Sequence, residues 1–316
     1  MSAVVLVTSR SFGSGTFDGP GLLSAAGYRV IVKPPTHDLA DLADTLPEAV
    51  AWIAGTGPIG ADHFATAPAL RILARYGVGV DAVDLAAAVE RGIPVTNTPG
   101  ANSESVADLA LTSILAGLRG ISAGDAAVRR GDWGASRGRE ISGQRIGIVG
   151  FGRIGRALAT RVIALGADVL AFDPYLPADA PLPDRVTRAH ALSDLASCAA
   201  VSLHSPGGEQ IIGPEWLALA RESVLVNTAR ADLVDEAEVA AALRAGGLAA
   251  YHADTLGSES AETSSPLLSE DLVGRVCITP HWGAQTIQAI DRMTQMSTED
   301  VLAVLAGRVP AYPVTS

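Results

Sequence analysis

The sequence predicts an α/β fold with two domains, each built on a parallel β-sheet flanked by helices. Short runs rich in β-branched residues alternate with longer Ala- and Leu-rich periodic runs, which is the pattern of buried strands and covering helices. The 316 residues exceed the roughly 100 to 200 that one domain usually contains. The alternating pattern also restarts near the middle of the chain, so we expect two such domains.

The first series of elements occupies about 100 residues, enough for one compact domain. A helix is predicted over residues 83–91, and Gly92 closes it in the C-cap position. The predicted strands are residues 3–9, 28–32, 51–54, 70–74 and 94–97.

The crossing between the domains is predicted just after this series. Pro99 and Gly100 interrupt the pattern. Asn102, Ser103 and Ser105 are candidate N-cap residues for the long apolar helix that follows.

The second series begins at Gln144 and is again predicted to form a parallel sheet. After His281 the chain is predicted to be helical from about residue 286 to residue 306. The predicted strands lie in the segments QRIGIVG, ADVLAFD, AAVSLHS, SVLVNTA, LAAYHAD and VCITPH.

A glycine-rich turn connects the first strand of the second series to a helix predicted over residues 156–165. The turn consists of Gly150, Phe151, Gly152, Arg153, Ile154 and Gly155. Because the strand, the turn and the helix occur together, this GxGxxG pattern predicts a dinucleotide site. The glycines allow a tight turn, close approach of a pyrophosphate and close helix–strand packing. The helix N-terminus adds free N–H groups and a positive dipole end.

Asp173 ends the next strand, about 20 residues beyond the turn, where a dinucleotide-binding domain carries the acidic residue that binds the adenosine ribose. A carboxylate there repels the 2′-phosphate of NADP, and Pro174 stands where an arginine would otherwise neutralise it. NAD is therefore favoured over NADP. The alternative interpretation is that the glycines only allow a turn and Asp173 only caps a strand end.

Composition excludes several classes of partner. The chain has 34 acidic and 23 basic residues, a net charge of −11 and no Lys/Arg-rich run, so we expect no nucleic-acid and no membrane partner. Cys198 and Cys277 do not form a CxxC pair, and we see no signal peptide and no apolar run of about 18 residues. We expect a reduced, cytoplasmic protein without a metal site.

Five ordered motifs cover nearly the whole chain. They are RYGVGVDAVDL, GIPVTNTPGANSESVADLAL, GQRIGIVGFGRIGRALA, NTARADLVDEAEVAAAL and TPHWGAQT. Together they resemble the D-isomer-specific 2-hydroxyacid dehydrogenases, most closely their phosphoglycerate-dehydrogenase-like branch. The resemblance implies two Rossmann-like or flavodoxin-like domains with a cleft between them, NAD as cofactor, and a homodimer formed largely through the NAD domains. It also implies a split substrate-binding domain, residues 1–98 with 286–316, around an NAD-binding domain of residues 99–285.

The resemblance further implies a catalytic set of Arg230, Glu259 and His281. The guanidinium of Arg230 suits a substrate carboxylate, and the imidazole of His281 can exchange a proton near neutral pH. Glu259 is assigned by its spacing from Asp254, because the local sequence departs from the family pattern. Glu262 competes for this role, and an exposed loop glutamate is the alternative for either residue.

Other ligand contacts follow from the same resemblance. Asn102 can orient substrate or can equally be an ordinary helix cap, and Asp254 is expected to face the nicotinamide carboxamide. The substrate-binding set is Tyr76, Val78, Gly79 and Asn102. Beyond the glycine-rich turn and Asp173, the cofactor-binding set is His204, Ser205, Pro206, Thr228, Ala229, Arg230, Asp254, His281 and Gly283.

Several departures from the family pattern bear on the substrate. Residues 54–59 contain no cation where phosphoglycerate dehydrogenases usually carry arginine, so we expect 3-phosphoglycerate not to be preferred. Ala231 and Asp232 replace the usual glycines after Arg230, and the loop HSPGGEQ is shorter than usual. Trp282 replaces a small aliphatic residue, and it can narrow the pocket, stack on a substrate or fill the domain interface.

The sequence thus predicts an NAD-dependent oxidoreductase that interconverts an unphosphorylated D-2-hydroxy acid and its 2-keto acid. One alternative is a phosphoglycerate dehydrogenase proper. Another is a non-catalytic NAD-sensing module of the corepressor kind, and a specialised reductase of secondary metabolism has no positive sequence signal. We also expect no appended regulatory domain.

Overall fold

The structure, a computed structural model, describes residues 2–259 and 264–315. The chain divides into two compact units, which we call the split unit (Met1–Ser105 with Ala284–Ser316) and the central unit (Val106–Gly283). We expected the boundaries to lie after residues 98 and 285. The observed boundaries differ from these, because the first of them falls inside a helix. Ala101 packs in the core of the split unit, whereas Ala107 packs in the core of the central unit.

The split unit contains a five-stranded sheet in which all the described pairings are parallel. Its strand order is β2-β1-β3-β4-β5, and the order reverses between β1 and β3. All five predicted strands are present, although β4 begins later than expected. The strands are β1 (Val4–Val7), β2 (Arg29–Val32), β3 (Ala49–Ala54), β4 (Leu73–Arg75) and β5 (Val95–Thr96).

The central unit contains a seven-stranded parallel sheet with the order β12-β11-β10-β9-β6-β7-β8. The order reverses between β6 and β9, and ligands of open α/β sheets bind at such a switch point. The six predicted strands are present, and the short edge strand β8 is an addition. The strands are β6 (Arg145–Val149), β7 (Asp168–Phe172), β8 (Val186–Arg188), β9 (Ala200–Leu203), β10 (Ser223–Asn227), β11 (Leu248–Ala253) and β12 (Val276–Ile278).

Helices cover both sheets. Their described bounds are α1 (Gly19–Ala25), α2 (Leu39–Leu42), α3 (Ala61–Thr66), α4 (Leu85–Glu90), α5 (Ser103–Arg119), α6 (Ile121–Arg129), α7 (Arg153–Ala164), α8 (Pro214–Leu219), α9 (Glu236–Ala245) and α10 (Ile287–Leu305). Side chains cap the N-termini of several helices. At α4, Asp84 accepts a hydrogen bond from Ala87 N at 2.9 Å, and at α10, Thr286 accepts one from Ala289 N at 3.2 Å. Such caps satisfy backbone donors that a helix leaves unpaired.

The helix α6 was not predicted, and none of its residues is buried. Within the described part of the chain, no single helix is long and apolar enough to cross a membrane, although α5 and α6, bent by 60°, reach that length and composition together.

The core of the central unit lies on both faces of its sheet. Val201 and Leu225 are fully buried on one face, and Ile148 and Val226 on the other. Burying one such side chain stabilises a fold by about 1.5 to 3 kcal/mol. The packed sheet therefore gives the loops at its carboxyl ends a rigid base.

Candidate active site

Several polar residues predicted to act in catalysis or to bind the cofactor follow the carboxyl ends of strands in the central unit. Thr228 and Arg230 follow β10, Asp254 follows β11, and His281 follows β12. Because these strands are parallel neighbours, their carboxyl ends lie along one edge of the sheet.

Glu259 and His281 form a hydrogen-bonded pair. The Nδ1 atom of His281 lies 3.1 Å from each carboxylate oxygen of Glu259. The hydrogen bond that His281 donates to Glu259 and the negative charge of Glu259 raise the pKa of His281, although burial acts in the opposite direction. With Nδ1 turned to the carboxylate, Nε2 is the nitrogen left for proton exchange. The competing Glu262 lies outside the described residues.

Asp254 holds the loop that carries His281. Its carboxylate accepts hydrogen bonds from Trp282 N and Gly283 N, both at 2.7 Å, and from the hydroxyl of Thr279. Its backbone carbonyl accepts a further bond from His281 N at 3.1 Å. Both of its oxygens are engaged by the loop because the chain turns back over it, and its expected contact with the nicotinamide carboxamide stays a prediction.

His281 has a strained backbone that this loop maintains. Its φ of 58° lies in the left-handed region, which costs a non-glycine residue of order 1 to 3 kcal/mol. Gly283 is needed for the close approach, since a Cβ there would lie 3.0 Å from an Asp254 oxygen. The bonds to Asp254 stabilise this conformation, which sets the direction of the imidazole.

Asn227, a residue that the sequence did not single out, shapes the turn before Arg230. Its fully buried side chain donates to Arg230 O at 2.8 Å and accepts from Ala229 N at 3.1 Å. The Arg230 guanidinium donates to Ala229 O at 2.9 Å. Half-buried Arg230 is thus held by its own turn, with its charge beside the catalytic pair.

A cavity of about 460 Å³ connects these side chains within the central unit. Arg230, Glu259 and His281 line it together with Asp232 and Thr255. A cation, an imidazole and a carboxylate around one cavity of this size suit a small organic acid.

The glycine-rich turn has the geometry of a pyrophosphate cradle. Gly150 has a φ of +86°, and a Cβ at Gly155 would lie 2.2 Å from Gly150 O, so both positions require glycine. Nothing in the described structure lies within 4 Å of a Cβ built on Gly152. That open space adjoins the N-terminus of α7. The helix begins at Arg153, three residues earlier than predicted, and so includes Arg153 and Ile154.

Asp173 lies beside this turn. One of its carboxylate oxygens accepts from Phe151 N at 2.8 Å and the other from Tyr175 N at 2.9 Å. These bonds fix the carboxylate next to the glycine-rich turn, where an adenosine ribose would meet it. The observed position fits NAD.

Two buried polar atoms also fit a cofactor. Among the described residues, none forms a hydrogen bond with His204 Nδ1 or Thr228 Oγ1. Buried polar atoms are rarely left unpaired, so each is a candidate ligand contact. Burial lowers the pKa of His204 to about 4, which keeps its imidazole neutral at physiological pH. Ser205 and Pro206 continue from His204 into the following loop.

That loop is joined to the segment after Arg230. Asp232 accepts a hydrogen bond of 2.6 Å from Gly208 N. A Cβ at Gly207 would lie 2.8 Å from the Asp232 carboxylate and 3.0 Å from Arg230 Cγ. The shortened loop and the unusual aspartate are therefore one structural feature.

In the split unit, the structure assigns the Tyr76 side chain to the core. The Tyr76 hydroxyl lies 3.0 Å from Thr294 Oγ1, donates toward Ile290 O at 3.1 Å, and is buried, which raises its pKa. The Tyr76 side chain therefore belongs to the core, and the substrate role expected for this residue stays a prediction. The ring packs on Phe12, because β4 directs it inward toward α10.

Val78, Gly79 and Asn102 remain possible ligand contacts. Val78 is exposed, Gly79 is half-buried, and Asn97 Nδ2 donates to Val78 O at 2.7 Å, which fixes the turn. The buried Oδ1 of Asn102 accepts no hydrogen bond from the described residues. An ordinary cap would use that oxygen, so the ligand role is favoured.

The indole of Trp282 is 57% exposed. Its backbone N–H donates to Asp254, which fixes the Cα position of Trp282 next to His281. Its predicted roles in stacking on a substrate, narrowing the pocket or filling the domain interface stay predictions.

Comparisons with known proteins agree with this geometry. Residues 111–283 match the family described as "D-isomer specific 2-hydroxyacid dehydrogenase, NAD binding domain". The chain is 39% identical over 303 residues to a D-3-phosphoglycerate dehydrogenase of Mycobacterium tuberculosis (strain H37Rv), covering 91% of this chain and 55% of that protein. It thus spans about half the length of such relatives.

Other relatives match over most of their length. A glyoxylate reductase of Korarchaeum cryptofilum is 35% identical over 265 residues, covering 81% of this chain and 79% of that protein. A crystal structure of a Thermus thermophilus protein superposes with a TM-score of 0.87 and 34% identity, covering 99% of this chain and all of the other.

Proposed function

Since the chain belongs to the D-isomer-specific 2-hydroxyacid dehydrogenase family, we propose that it interconverts a D-2-hydroxy acid and its 2-keto acid with NAD. The observation that carries this proposal is the His281–Glu259 pair, which borders one cavity with Arg230. An acid/base group and a carboxylate-binding cation are the two protein groups that this reaction needs.

Each side chain has a distinct part in the reaction. Arg230 binds the substrate carboxylate. During reduction, protonated His281 gives its Nε2 proton to the carbonyl oxygen of the substrate, and neutral His281 accepts the hydroxyl proton during oxidation. Glu259 stabilises the imidazolium.

The NAD-binding domain of the family, which includes residues 111–283, supplies the cofactor contacts. The turn from Gly150 to Gly155 would receive the pyrophosphate, and Asp173 the ribose. His204 and Thr228 would contact other parts of the cofactor. When bound, the cofactor would supply a hydride as NADH for reduction and accept one as NAD⁺ for oxidation.

We propose an unphosphorylated substrate, because the loop of residues 54–59 contains no cation. Its backbone is also tightly packed: a Cβ at Gly55 would lie 2.6 Å from Thr8 O. At Gly57 a Cβ would lie 2.7 Å from the ring of His37. Neither position has room for an arginine, so a phosphate would find no charge partner in this loop.

We also propose that the protein forms a homodimer through the central unit. The helix α6 leaves Ile121 and Val128 exposed, and Trp133 just beyond it is 82% exposed. Apolar side chains on an unburied helix are typical of an interface. Sedimentation of the wild type and of Trp133→Ser tests this: the wild type should be a dimer, and the variant should dissociate at a higher concentration.

The function is tested by NADH oxidation with glyoxylate, hydroxypyruvate, pyruvate and branched 2-keto acids. Turnover with at least one of them supports the proposal. Tight NADH binding without turnover on any 2-keto acid would instead support a non-catalytic NAD sensor. Preference for a phosphorylated substrate would support a phosphoglycerate dehydrogenase, the activity named for the Mycobacterium tuberculosis relative.

A further inference from the structure

One carboxylate holds the segment that carries Glu259 at two points. Gly257 N donates to Oε1 of Glu236 at 2.7 Å, on the N-terminal side of Glu259. The hydroxyl of Ser265 donates to Oε2 of the same side chain, on the C-terminal side. Glu236 therefore bridges the two ends of the segment from residue 257 to residue 265.

Glu236 has a rigid base for this contact. It is the first residue of α9, and the preceding Asp235 caps the helix by accepting from Ala237 N at 2.8 Å and Glu238 N at 3.0 Å. The opposite side of α9 is buried in the core of the central unit through residues such as Val239. A carboxylate fixed in this way can limit the movement of an attached loop.

The exposure of the catalytic pair makes such an anchor necessary. The side chains of His281 and Glu259 are 42% and 46% exposed, and an exposed pair contributes little to its own geometry because water competes for each group. His281 is held from its own side by Asp254. Glu259 needs a corresponding support, and Glu236 is the charged side chain that contacts both ends of its segment.

We propose that Glu236 is a positioning residue, which holds Gly257 and Ser265 so that Glu259 stays within hydrogen-bond distance of His281. Glu236 lines the same cavity as His281, and in this proposal it acts through Glu259 rather than by binding the substrate. The proposal rests on the proposed function for its catalytic consequence, whereas the link between Glu236 and His281 is independent of turnover.

The charged groups around His281 decide how the link can be measured. Glu259 comes from the segment after β11, Asp254 from the end of β11, and Arg230 from the turn after β10. Among these, Glu259 is the group that a loss of the Glu236 anchor would displace. The guanidinium of Arg230 and the carboxylate of Asp254 are held by separate hydrogen bonds, so a change in His281 titration reports on Glu259.

The test compares Glu236→Ala with Glu236→Gln in the full chain. An amide can still accept from Gly257 N and donate to Ser265 Oγ, so Glu236→Gln should retain the anchor, and alanine cannot. Glu238→Gln is the matched control, because Glu238 lies on the same helix but contacts Gln210. Ser265→Ala, which removes one of the two contacts, serves if Glu236→Ala fails to fold.

Two readouts are measured: the pH dependence of kcat/KM for keto-acid reduction, and the NMR titration of the His281 ring, assigned with His281→Asn. In Glu236→Ala we expect kcat/KM to fall on the order of tenfold, and the titration and the alkaline limb to move to lower pH. Ser265→Ala should move them less, and Glu236→Gln and Glu238→Gln should resemble the wild type.

An unchanged His281 titration in folded Glu236→Ala, or in Ser265→Ala if only that variant folds, would overturn the proposal, even if thermal stability fell. Absence of turnover in the wild type would instead overturn the proposed function, and the NMR titration would still decide the role of Glu236.

Discussion

Asp232 accepts a hydrogen bond of 2.6 Å from the backbone N–H of Gly208. This contact joins two features that the sequence presents separately, a short glycine-rich loop after β9 and a carboxylate two residues beyond Arg230. The loop contains no side chain at residue 207, so it can lie against both Asp232 and Arg230. The loop after His204 and the turn that carries Arg230 are thereby coupled.

The substitution Gly207→Ala should weaken substrate binding through Arg230. The new Cβ would lie 3.0 Å from Arg230 Cγ and 2.8 Å from the Asp232 carboxylate, so one of these groups must move. We expect kcat/KM for the keto acid to fall on the order of tenfold, since small displacements of binding groups are costly. Gly213→Ala is the control, because its Cβ meets nothing closer than 3.7 Å. Equal kinetics in the two variants would contradict the coupling.

The substitution Glu259→Gln should change the pH range of activity. Glu259 raises the pKa of His281, and reduction requires the protonated imidazole, so wild-type reduction declines only as pH rises through that raised pKa. Without the carboxylate, the decline in kcat/KM should move to lower pH, while oxidation, which needs the neutral ring, should extend to lower pH. The pH profiles of kcat/KM for reduction and for oxidation check this prediction. If neither profile shifts in Glu259→Gln, Glu259 does not set the pKa of His281.

The substitution Asp173→Ala should relax the preference for NAD. The carboxylate lies beside the glycine-rich turn and would repel a 2′-phosphate. We expect the ratio of kcat/KM with NADPH to that with NADH to rise about tenfold, or about 1.4 kcal/mol. Asp168→Ala is the control, since Asp168 lies at the start of the same strand and pairs with Arg185. A ratio that does not change would show that another residue excludes NADPH.

Buried histidines should make the protein sensitive to acid. Burial lowers the pKa of His37 and His252 from 6.5 to about 4. Between these values the unfolded chain binds protons that the folded chain does not, so the free energy of unfolding should fall as pH drops from about 6.5 to 4. The slope is at most about 1.4 kcal/mol per pH unit for each histidine.

Urea unfolding at pH 7 and pH 5 measures this loss. His252→Asn should reduce the pH dependence relative to the wild type, and His190→Gln should leave it unchanged because His190 is exposed. A wild-type stability that is constant over this range would contradict the prediction.

The sequence predicted those parts of the molecule whose signals are local. Hydrophobic runs located most strands, and a contiguous pattern located the glycine-rich turn and Asp173. The strand β8 was missed because it has three residues with only Val186 buried. The helix α6 was missed because none of its residues is buried in the core.

The supporting contacts of the site could not be predicted in this way. Asp254 was assigned to the cofactor, yet its carboxylate holds residues more than twenty positions away in the chain. Asn227, Glu236 and the Asp232–Gly208 contact depend on where separate loops meet in space. Tyr76 lies in a motif with ligand-binding neighbours, but the direction of its side chain follows from β4 and the packing of α10.

The most direct test of the central claim compares the wild type with His281→Ala on the panel of unphosphorylated 2-keto acids with NADH, and measures the wild type with NAD on the matching 2-hydroxy acids and on 3-phosphoglycerate. We predict wild-type turnover of at least one unphosphorylated acid, more efficient than that of 3-phosphoglycerate. In His281→Ala, kcat/KM should fall by roughly 10²- to 10⁴-fold, while NADH binding, followed by fluorescence, is retained. Undiminished turnover by His281→Ala, or a clear preference for 3-phosphoglycerate, would contradict the account.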